Sequence, residues 1–161
     1  MPKSILAAID LAATSDQIIA ASQEYAEAFS AKVYLVHVAE ISPTPEHAAI
    51  DLSLLSDPIS GPDLPINVAR EDEAVRLRAE HRALQGLKTK LSDAGIDATA
   101  LFIKGATVEK LLLEIDRLDI DLAIIGSHSP NFLRDFIFGS TMKEIVRESG
   151  CPALVLPPPS D

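Results

Sequence analysis

The chain has 161 residues and a mass of 17.2 kDa, which is enough for one ordinary domain with a buried core and too little for two. Its formal net charge of −10 argues against sequence-independent binding to nucleic acids or anionic membranes, because the long-range field repels both. The single cysteine, Cys151, excludes an internal disulfide, and we expect its thiol to be buried and inert. We expect neither a secretory leader before Met1-Pro2-Lys3-Ser4 nor a membrane span, which predicts one cytoplasmic domain over residues 1–161.

The first forty residues predict a strand, a helix and a second strand. Ile5 to Ile9 is a continuous apolar run, typical of a strand that is buried on both faces. Thr14 and Gln17 have the spacing of a capping box at the start of a helix. The apolar face of that helix consists of Ile18, Ala21, Tyr25 and Phe29. Lys32 to Ala39 is apolar and β-branched, so it predicts a second strand after a right-handed parallel crossover.

Residues 41–66 differ from the rest of the chain, because no hydrophobic period persists across them. Prolines interrupt the segment at Pro43, Pro45, Pro58, Pro62 and Pro65. We predict a Pro-rich loop with room for one short helix. Loops of this length are uncommon in compact domains and often act as lids or partner surfaces.

A long helix is predicted from Val68 to a glycine cap at Gly95. The acidic group Glu71-Asp72-Glu73 favours its N-terminus. Its apolar stripe consists of Leu77, Leu84, Leu87 and Leu91. We expect this helix to be the longest in the chain.

The remaining residues alternate between strands and helices. Ala98 to Ile103 and Leu122 to Ile125 predict the third and fourth strands, and between them Thr107 is positioned to cap a helix. A fourth helix opens at Ser140. The fifth strand, Ala153 to Leu156, ends at a triple proline, which cannot donate to a sheet.

Strands that alternate with helices predict a doubly wound parallel α/β sheet. Ligands of such sheets bind beyond the carboxyl ends of the strands, near the point where the strand order reverses. Asp10, Val38 and Gly126 lie at such ends. We therefore expect these residues to border a ligand site.

The loop after the fourth strand has the composition of a phosphate cradle. Gly126-Ser127-His128-Ser129 leaves the strand, and Gly139-Ser140-Thr141 opens the next helix. Backbone N–H groups and hydroxyls in this arrangement can converge on one anion. The alternative is an ordinary strand-to-helix loop, in which the glycines serve turns and Ser140 or Thr141 serves the N-cap. His128 either contacts a phosphate or ribose or covers the loop with an intraprotein hydrogen bond.

Other polar residues offer weaker candidates. Asp10 either faces a sugar, a base or a metal ion, or acts as a turn acid in the loop before the first helix. His37 lies inside an apolar strand and is predicted to be a core histidine. Lys104 and Arg134 are candidates for phosphate contacts, with a solvated surface position as the alternative. The sequence shows no cluster with metal-ligand spacing.

Several segments, in order along the chain, together resemble the universal stress protein family. They are Ile5 to Asp10, Leu35-Val36-His37-Val38, Gly105, Asp121 to His128, Gly139-Ser140-Thr141 and Cys151 to Leu156. The family's nucleotide signature is a glycine, two residues, a glycine, nine residues, then glycine with serine or threonine. It stands here as Gly126, Ser129, Gly139 and Ser140.

The resemblance implies a five-stranded parallel sheet of the adenine-nucleotide α-hydrolase-like type. The implied strand order is 3-2-1-4-5, with helices on both faces, and the implied assembly is a homodimer through the last strand, Ala153 to Leu156. The implied ligand is ATP, ADP or AMP, with Mg²⁺. Ala8, Ile9 and Asp10 would border the adenosine end and Val38 the adenine. The residues implied around the ribose and phosphates are Gly126, His128, Ser129, Gly139, Ser140 and Thr141, and Ile125 is a further implied nucleotide-binding residue.

The leading hypothesis is a regulatory dimer in stress response that binds an adenine nucleotide and acts on an unidentified protein partner. It would be no enzyme, or at most a very slow ATPase, because neither a P-loop lysine nor a general base stands beside the cradle.

The alternative hypothesis is a dimeric interaction scaffold whose nucleotide site is degenerate. Its support is Ser129, which replaces a family glycine. A Cβ there costs on the order of 1 kcal/mol or more if φ is positive. An enzyme that cleaves ATP between its α- and β-phosphates is disfavoured, because Asp10 to Ser15 contains no glycine.

Overall fold

The structure, a computed structural model, describes residues 1–40, 66–127 and 140–158, with the backbone alone at 66–70, 140 and 141. Within these ranges the strands are β1 (Ser4–Ala8), β2 (Lys32–Ala39), β3 (Ala98–Lys104), β4 (Leu122–Gly126) and β5 (Ala153–Leu156). The helices are α1 (Ser15–Phe29), α2 (Ile66–Asp93), α3 (Thr107–Arg117) and α4 (Ser140–Glu148). The five strands and four helices predicted outside the Pro-rich loop are present, and α2 is the longest helix of the described residues. It begins at Ile66, two residues before the predicted Val68, so Glu71-Asp72-Glu73 lie beyond its first turn. The predicted Pro-rich loop lies outside the described residues, except for Ile66.

Neighbouring strands pair in parallel, in the order β3-β2-β1-β4-β5. β1 is central, and its Ile5 pairs with Val33 of β2 and with Leu122 of β4. The strand order reverses beside β1, because the chain moves outward to β2 and β3 on one side and to β4 and β5 on the other. The predicted doubly wound sheet and its strand order are confirmed. Parallel sheets leave room for a ligand at such a reversal point.

Side chains alternate along the strands and build one core on each face of the sheet. The core beneath α1 and α2 includes Ile5, Ala7, Leu35, Ile18, Leu84 and Leu91. The core beneath α3 and α4 includes Leu6, Val36, Ala123, Leu111, Ile115 and Ile145. Burial on both faces explains why the strands are continuous apolar runs in the sequence. No helix in the described ranges has the length and apolarity that crossing a membrane requires.

Two predicted helix caps do not form. The hydroxyl of Thr14 does not cap α1 but donates to a carboxylate oxygen of Asp10 at 3.2 Å. The Oε1 atom of Gln17, its predicted capping-box partner, is buried without a hydrogen-bond donor among the described residues. Thr107 is the first residue of α3, and the capping position belongs to Ala106. In both places the spacing matched a cap, but the backbone placed the hydroxyl elsewhere.

Cys151 lies between α4 and β5 and is half-buried, so the prediction of a buried thiol holds only in part. Burial raises the pKa of the thiol, and a hydrogen bond with Ser149 lowers it by less. The thiol is therefore protonated at neutral pH. Because the thiolate is the nucleophilic form, low reactivity is expected.

Candidate functional site

A cavity of about 550 Å³ lies beyond the carboxyl ends of β1, β2 and β4. It sits where the strand order reverses, and its volume is typical of small-molecule sites. Its described lining residues are Ala8, Ile9, Asp10, Ile18, Val36, His37, Val38, Thr107, Leu111, Ile125, Gly126, Ser127, Met142 and Ile145. We call it the switch-point cavity.

Most of the switch-point cavity is apolar. Val38 and Ile125 approach it from β2 and β4, while Leu111, Met142 and Ile145 approach from α3 and α4. All five are buried and belong to one core cluster. Such a surface suits a planar apolar group, because transfer of that group out of water is favourable.

Asp10 organises the loop between β1 and α1 at the edge of this cavity. Its Oδ1 accepts hydrogen bonds from the N–H of Ala12 at 3.0 Å and the hydroxyl of Ser15 at 3.1 Å, and Thr14 donates to its Oδ2. Leu11, between Asp10 and Ala12, has φ 61°. This left-handed conformation costs a non-glycine residue about 1 kcal/mol or more. The alternative predicted for Asp10, a turn acid before the first helix, is therefore observed. The residue also lines the cavity.

Gly126 ends β4 where the start of α1 packs against it. A Cβ built on Gly126 would lie 3.1 Å from the Cβ and Oγ1 of Thr14 and 3.1 Å from the Cδ1 of Ile18. These distances are shorter than ordinary van der Waals contact, so the glycine permits close packing of α1 on β4. The sequence predicted close approach to a ligand at this position. The contacts that the structure shows are with α1, although Gly126 also lines the cavity.

His37 connects the cavity to α2. Its Nδ1 lies 2.7 Å from the carbonyl oxygen of Ile9, so this nitrogen carries the donated proton. Its Nε2 lies 3.4 Å from a carboxylate oxygen of Glu80, whose other oxygen accepts a bond from Arg76 at 2.7 Å. Arg76 also donates to the carbonyl oxygen of Glu40 at 3.1 Å. The prediction of a buried, hydrogen-bonded core histidine is confirmed, and the same residue lines the cavity.

The structure brings together those predicted site residues that lie in β1, β2 and β4 and in the turn after β1. Ala8, Ile9, Asp10, Val38, Ile125 and Gly126 all line the switch-point cavity. Ser140 and Thr141 form the first turn of α4, directly before the lining residue Met142. N–H groups in a first turn have no partner within their helix, so they are available to an acceptor. His128, Ser129, Arg134 and Gly139 lie outside the described residues.

Several lining residues were not predicted as site residues. Leu111 and Ile145 belong to the core beneath α3 and α4 and also line the cavity, because the cavity is continuous with that core. Ser127 directly follows β4, so its place at a strand end is a signal that the sequence contains. Thr107 is the first residue of α3 and follows the turn after β3. Lys104, a candidate for phosphate contacts, lies at the end of β3 in a different cavity.

The profile of the universal stress protein family matches residues 1–157. The chain belongs to this family. Over 155 residues it is 27% identical to universal stress protein A homolog 1 of Coxiella burnetii, covering 96% of this chain and 95% of that protein. The resemblance found in the sequence is thereby confirmed.

Solved structures of universal stress proteins share the fold. An Arabidopsis thaliana family member with AMP bound superposes with a TM-score of 0.62 at 17% identity, over 99% of this chain and 94% of the other. A universal stress protein in complex with cAMP gives a TM-score of 0.61 at 17% identity, over 98% of each chain.

Proposed function

We propose that this universal stress protein family member binds an adenine nucleotide in the switch-point cavity. The observation that carries the proposal is the convergence on that cavity of the six candidate residues in β1, β2 and β4 and in the turn after β1. Structures of related proteins with AMP and with cAMP bound support it. The volume of about 550 Å³ suits a nucleoside phosphate.

The lining suggests how each part of the nucleotide would be held. The apolar side formed by Val38, Ile125 and Met142 would receive the adenine ring. Asp10 would border the ribose. The phosphates would extend toward Gly126 and the first turn of α4, where helix N–H groups favour an anion. ATP would bring Mg²⁺ with its phosphates.

We propose a regulatory role in stress response, with at most a very slow ATPase activity. Asp10 is the acidic side chain among the described lining residues. It accepts hydrogen bonds from Ala12, Thr14 and Ser15. A carboxylate with these bonds is poorly arranged to take a proton from an attacking water. The hydrogen bonds of Asp10 therefore support a nucleotide that regulates the protein by binding, and not one that the protein rapidly hydrolyses.

We propose that two copies of the chain form a homodimer through β5. This strand ends the sheet, pairs with β4 on one side, and has four half-buried apolar residues. An apolar edge strand is a template for pairing with a second chain. Nucleotide binding would then change the affinity of the dimer for a protein partner, provided that the two states of the dimer bind the nucleotide differently.

We propose the cytoplasm as the compartment of this protein, because a single cysteine suits a reducing environment.

Two strand substitutions test the nucleotide site. Ala8→Leu adds bulk inside the cavity, whereas Ala100→Leu adds the same bulk to a half-buried residue of β3 in the other core. Protein freed of nucleotide by unfolding and refolding is titrated calorimetrically with AMP, ADP and Mg-ATP. We expect binding by the natural chain and by Ala100→Leu, and binding weaker by about tenfold or more for Ala8→Leu, a loss of about 1.4 kcal/mol.

Two outcomes would contradict the proposal. If the natural chain releases no nucleotide on unfolding and gives no heat at millimolar concentrations, the scaffold with a degenerate site is favoured. If Ala8→Leu and Ala100→Leu bind equally well while both remain folded by circular dichroism, the nucleotide binds elsewhere.

A further inference from the structure

A second cavity, of about 390 Å³, lies where α2 passes over the edge strand β3. Its described lining residues are Leu77, Arg78, His81, Arg82, Phe102 and Lys104. Among the described residues it shares no lining side chain with the switch-point cavity. We call it the α2–β3 cavity.

Positive charge is concentrated at the α2–β3 cavity, in a chain whose formal net charge is −10. Arg78 and Arg82 are one turn apart on α2, and Lys104 lines the same cavity from β3. Within residues 1–40, 66–127 and 140–158, none of the three forms an ion pair. The Nε of Arg82 donates to the carbonyl oxygen of Arg78 at 3.4 Å, which directs that arginine along the helix. Cations gathered in this way attract an anion.

The acidic residue nearest to these cations on α2 does not neutralise them. Glu80 is the only acidic residue in the sequence from Arg76 to Lys90. Its carboxylate accepts a bond from Arg76 at 2.7 Å, and the Nε2 of His37 lies 3.4 Å from its other oxygen. The α2–β3 cavity therefore keeps its positive charge.

Phe102 gives the same cavity an aromatic side. The half-buried ring meets His81 edge to face, with ring centroids 5.5 Å apart, and it meets His37 with centroids 5.4 Å apart. These contacts limit the orientations of the Phe102 ring. Leu77 adds further apolar surface. A flat ring can pack on such a surface while arginines bind an attached anionic group.

We propose that the α2–β3 cavity binds a small organic anion in which a planar ring carries a phosphate or carboxylate group. Two guanidinium groups offer paired N–H donors that match such oxygens, and Lys104 adds a third positive charge. The cavity volume falls at the small end of ligand sites. The negative charge of the whole chain opposes long polyanions, which favours a small ligand over a nucleic acid or an acidic protein.

Phenyl phosphate is a suitable probe, because it has a planar ring and an anionic group but no adenine. It is titrated into the ¹⁵N-labelled full chain at low salt, and backbone amide shifts locate the binding. We expect shifts at His81, Arg82 and Phe102, and none at Val38 or Gly126. Inorganic phosphate should bind about tenfold more weakly, because it lacks the ring contact. Added salt should weaken both interactions.

A matched pair of double variants separates a site from a general field of charge. Arg78→Gln with Arg82→Gln removes two charges at the cavity, whereas Lys88→Gln with Lys90→Gln removes two charges farther along α2. We expect affinity for phenyl phosphate to fall about tenfold or more in the first variant and less than about twofold in the second. Phe102→Leu should weaken binding of phenyl phosphate but not of inorganic phosphate.

Three results would overturn the proposal. One is an equal loss of affinity in the two double variants, which would show attraction to the overall charge alone. Another is an absence of shifts at His81, Arg82 and Phe102, or shifts confined to the switch-point cavity. The third is an acidic peptide that shifts these resonances when phenyl phosphate does not, because the surface would then bind proteins.

Discussion

Gly126 shows how one absent side chain positions the loop beside the cavity. A Cβ added to Gly126 would lie 3.1 Å from atoms of Thr14 and Ile18. Thr14 in turn donates to the Asp10 carboxylate that holds the loop after β1. Packing at the end of β4 and loop geometry at the end of β1 are therefore linked through Thr14.

A methyl group at Gly126 should destabilise the fold. We expect Gly126→Ala to lower the free energy of unfolding by about 1–3 kcal/mol, because a Cβ overpacks the start of α1. Gly86→Ala is the matched control, since Gly86 lies inside α2 and an added Cβ there meets no described atom within 4 Å beyond its chain neighbours and its own helix backbone. That variant should gain about 0.5–1 kcal/mol, because alanine favours a helix. Urea unfolding measures both changes, and equal values for the two variants would contradict the packing argument.

Asp121 ties the N-terminal end of β1 to the start of β4, away from the cavity. Its Oδ2 accepts bonds from the N–H of Lys3 at 2.7 Å, the N–H of Ser4 at 3.0 Å and the Ser4 hydroxyl at 3.0 Å. The Lys3 bond, followed by those of Ser4, lowers the pKa of this carboxyl below its ordinary value of 3.8. Each of these bonds is stronger when the carboxylate is ionised.

The contribution of Asp121 to the free energy of unfolding should depend on pH. Because its folded pKa is depressed, the contribution is fully present well above pH 3.8 and is lost as pH falls through the folded value. Asp121→Asn should therefore be less stable than the natural chain at neutral pH, with the difference shrinking in acid. Asp119→Asn is the control, since that side chain makes no hydrogen bond within the described residues. Thermal unfolding between about pH 2 and 7 measures this, and a difference that grows in acid would refute the assignment.

Among the elements, β5 carries the proposed dimer contact. The carbonyl oxygens of Pro152 and Leu156 accept bonds from Ala123 and Ser127, on the β4 side of the chain. Because backbone groups alternate along a strand, the N–H and C=O of Val155 point to the other edge. That edge is the one available to a second copy of the chain.

A proline at position 155 should separate the proposed dimer without unfolding the domain. Val155→Pro removes an N–H that faces the outer edge, and prolines are tolerated there in edge strands. Val155→Ala keeps the N–H and is the control. Sedimentation velocity should show a monomer for the first variant and a dimer for the second. A natural chain that is monomeric at micromolar concentrations would contradict the proposed assembly.

The hydrophobic pattern of the sequence predicted the bounds of strands better than the caps of helices. β2 and β5 have the predicted bounds, because each is a short apolar run with clear interruptions on either side. The cap at Thr14 was predicted wrongly, because Thr14 has helical backbone angles, φ −73° and ψ −16°, where a capping residue is extended. Those angles belong to a loop with a left-handed Leu11, whose shape spacing alone does not contain.

At the scale of the whole molecule, the reversal of strand order creates the switch-point cavity. Residues from β1, β2 and β4 were predictable as its lining, because strand ends can be located in the sequence. Met142 and Ile145 were not separated from ordinary core residues, since α4 buries the same apolar face in either function. The α2–β3 cavity depends on tertiary packing between a helix and a strand, so the sequence identified Lys104 alone as a candidate there.

The place where AMP binds decides whether the switch-point cavity is a nucleotide site. AMP is titrated into the nucleotide-free, ¹⁵N-labelled chain, and backbone amide shifts are mapped onto the structure. Binding in the switch-point cavity predicts shifts at Ile9, Val38, Gly126 and Ser127, with little change at the N-terminal strand ends near Asp121. An unchanged spectrum at millimolar AMP, or shifts that leave those four amides unaffected, would show that the switch-point cavity does not bind the nucleotide.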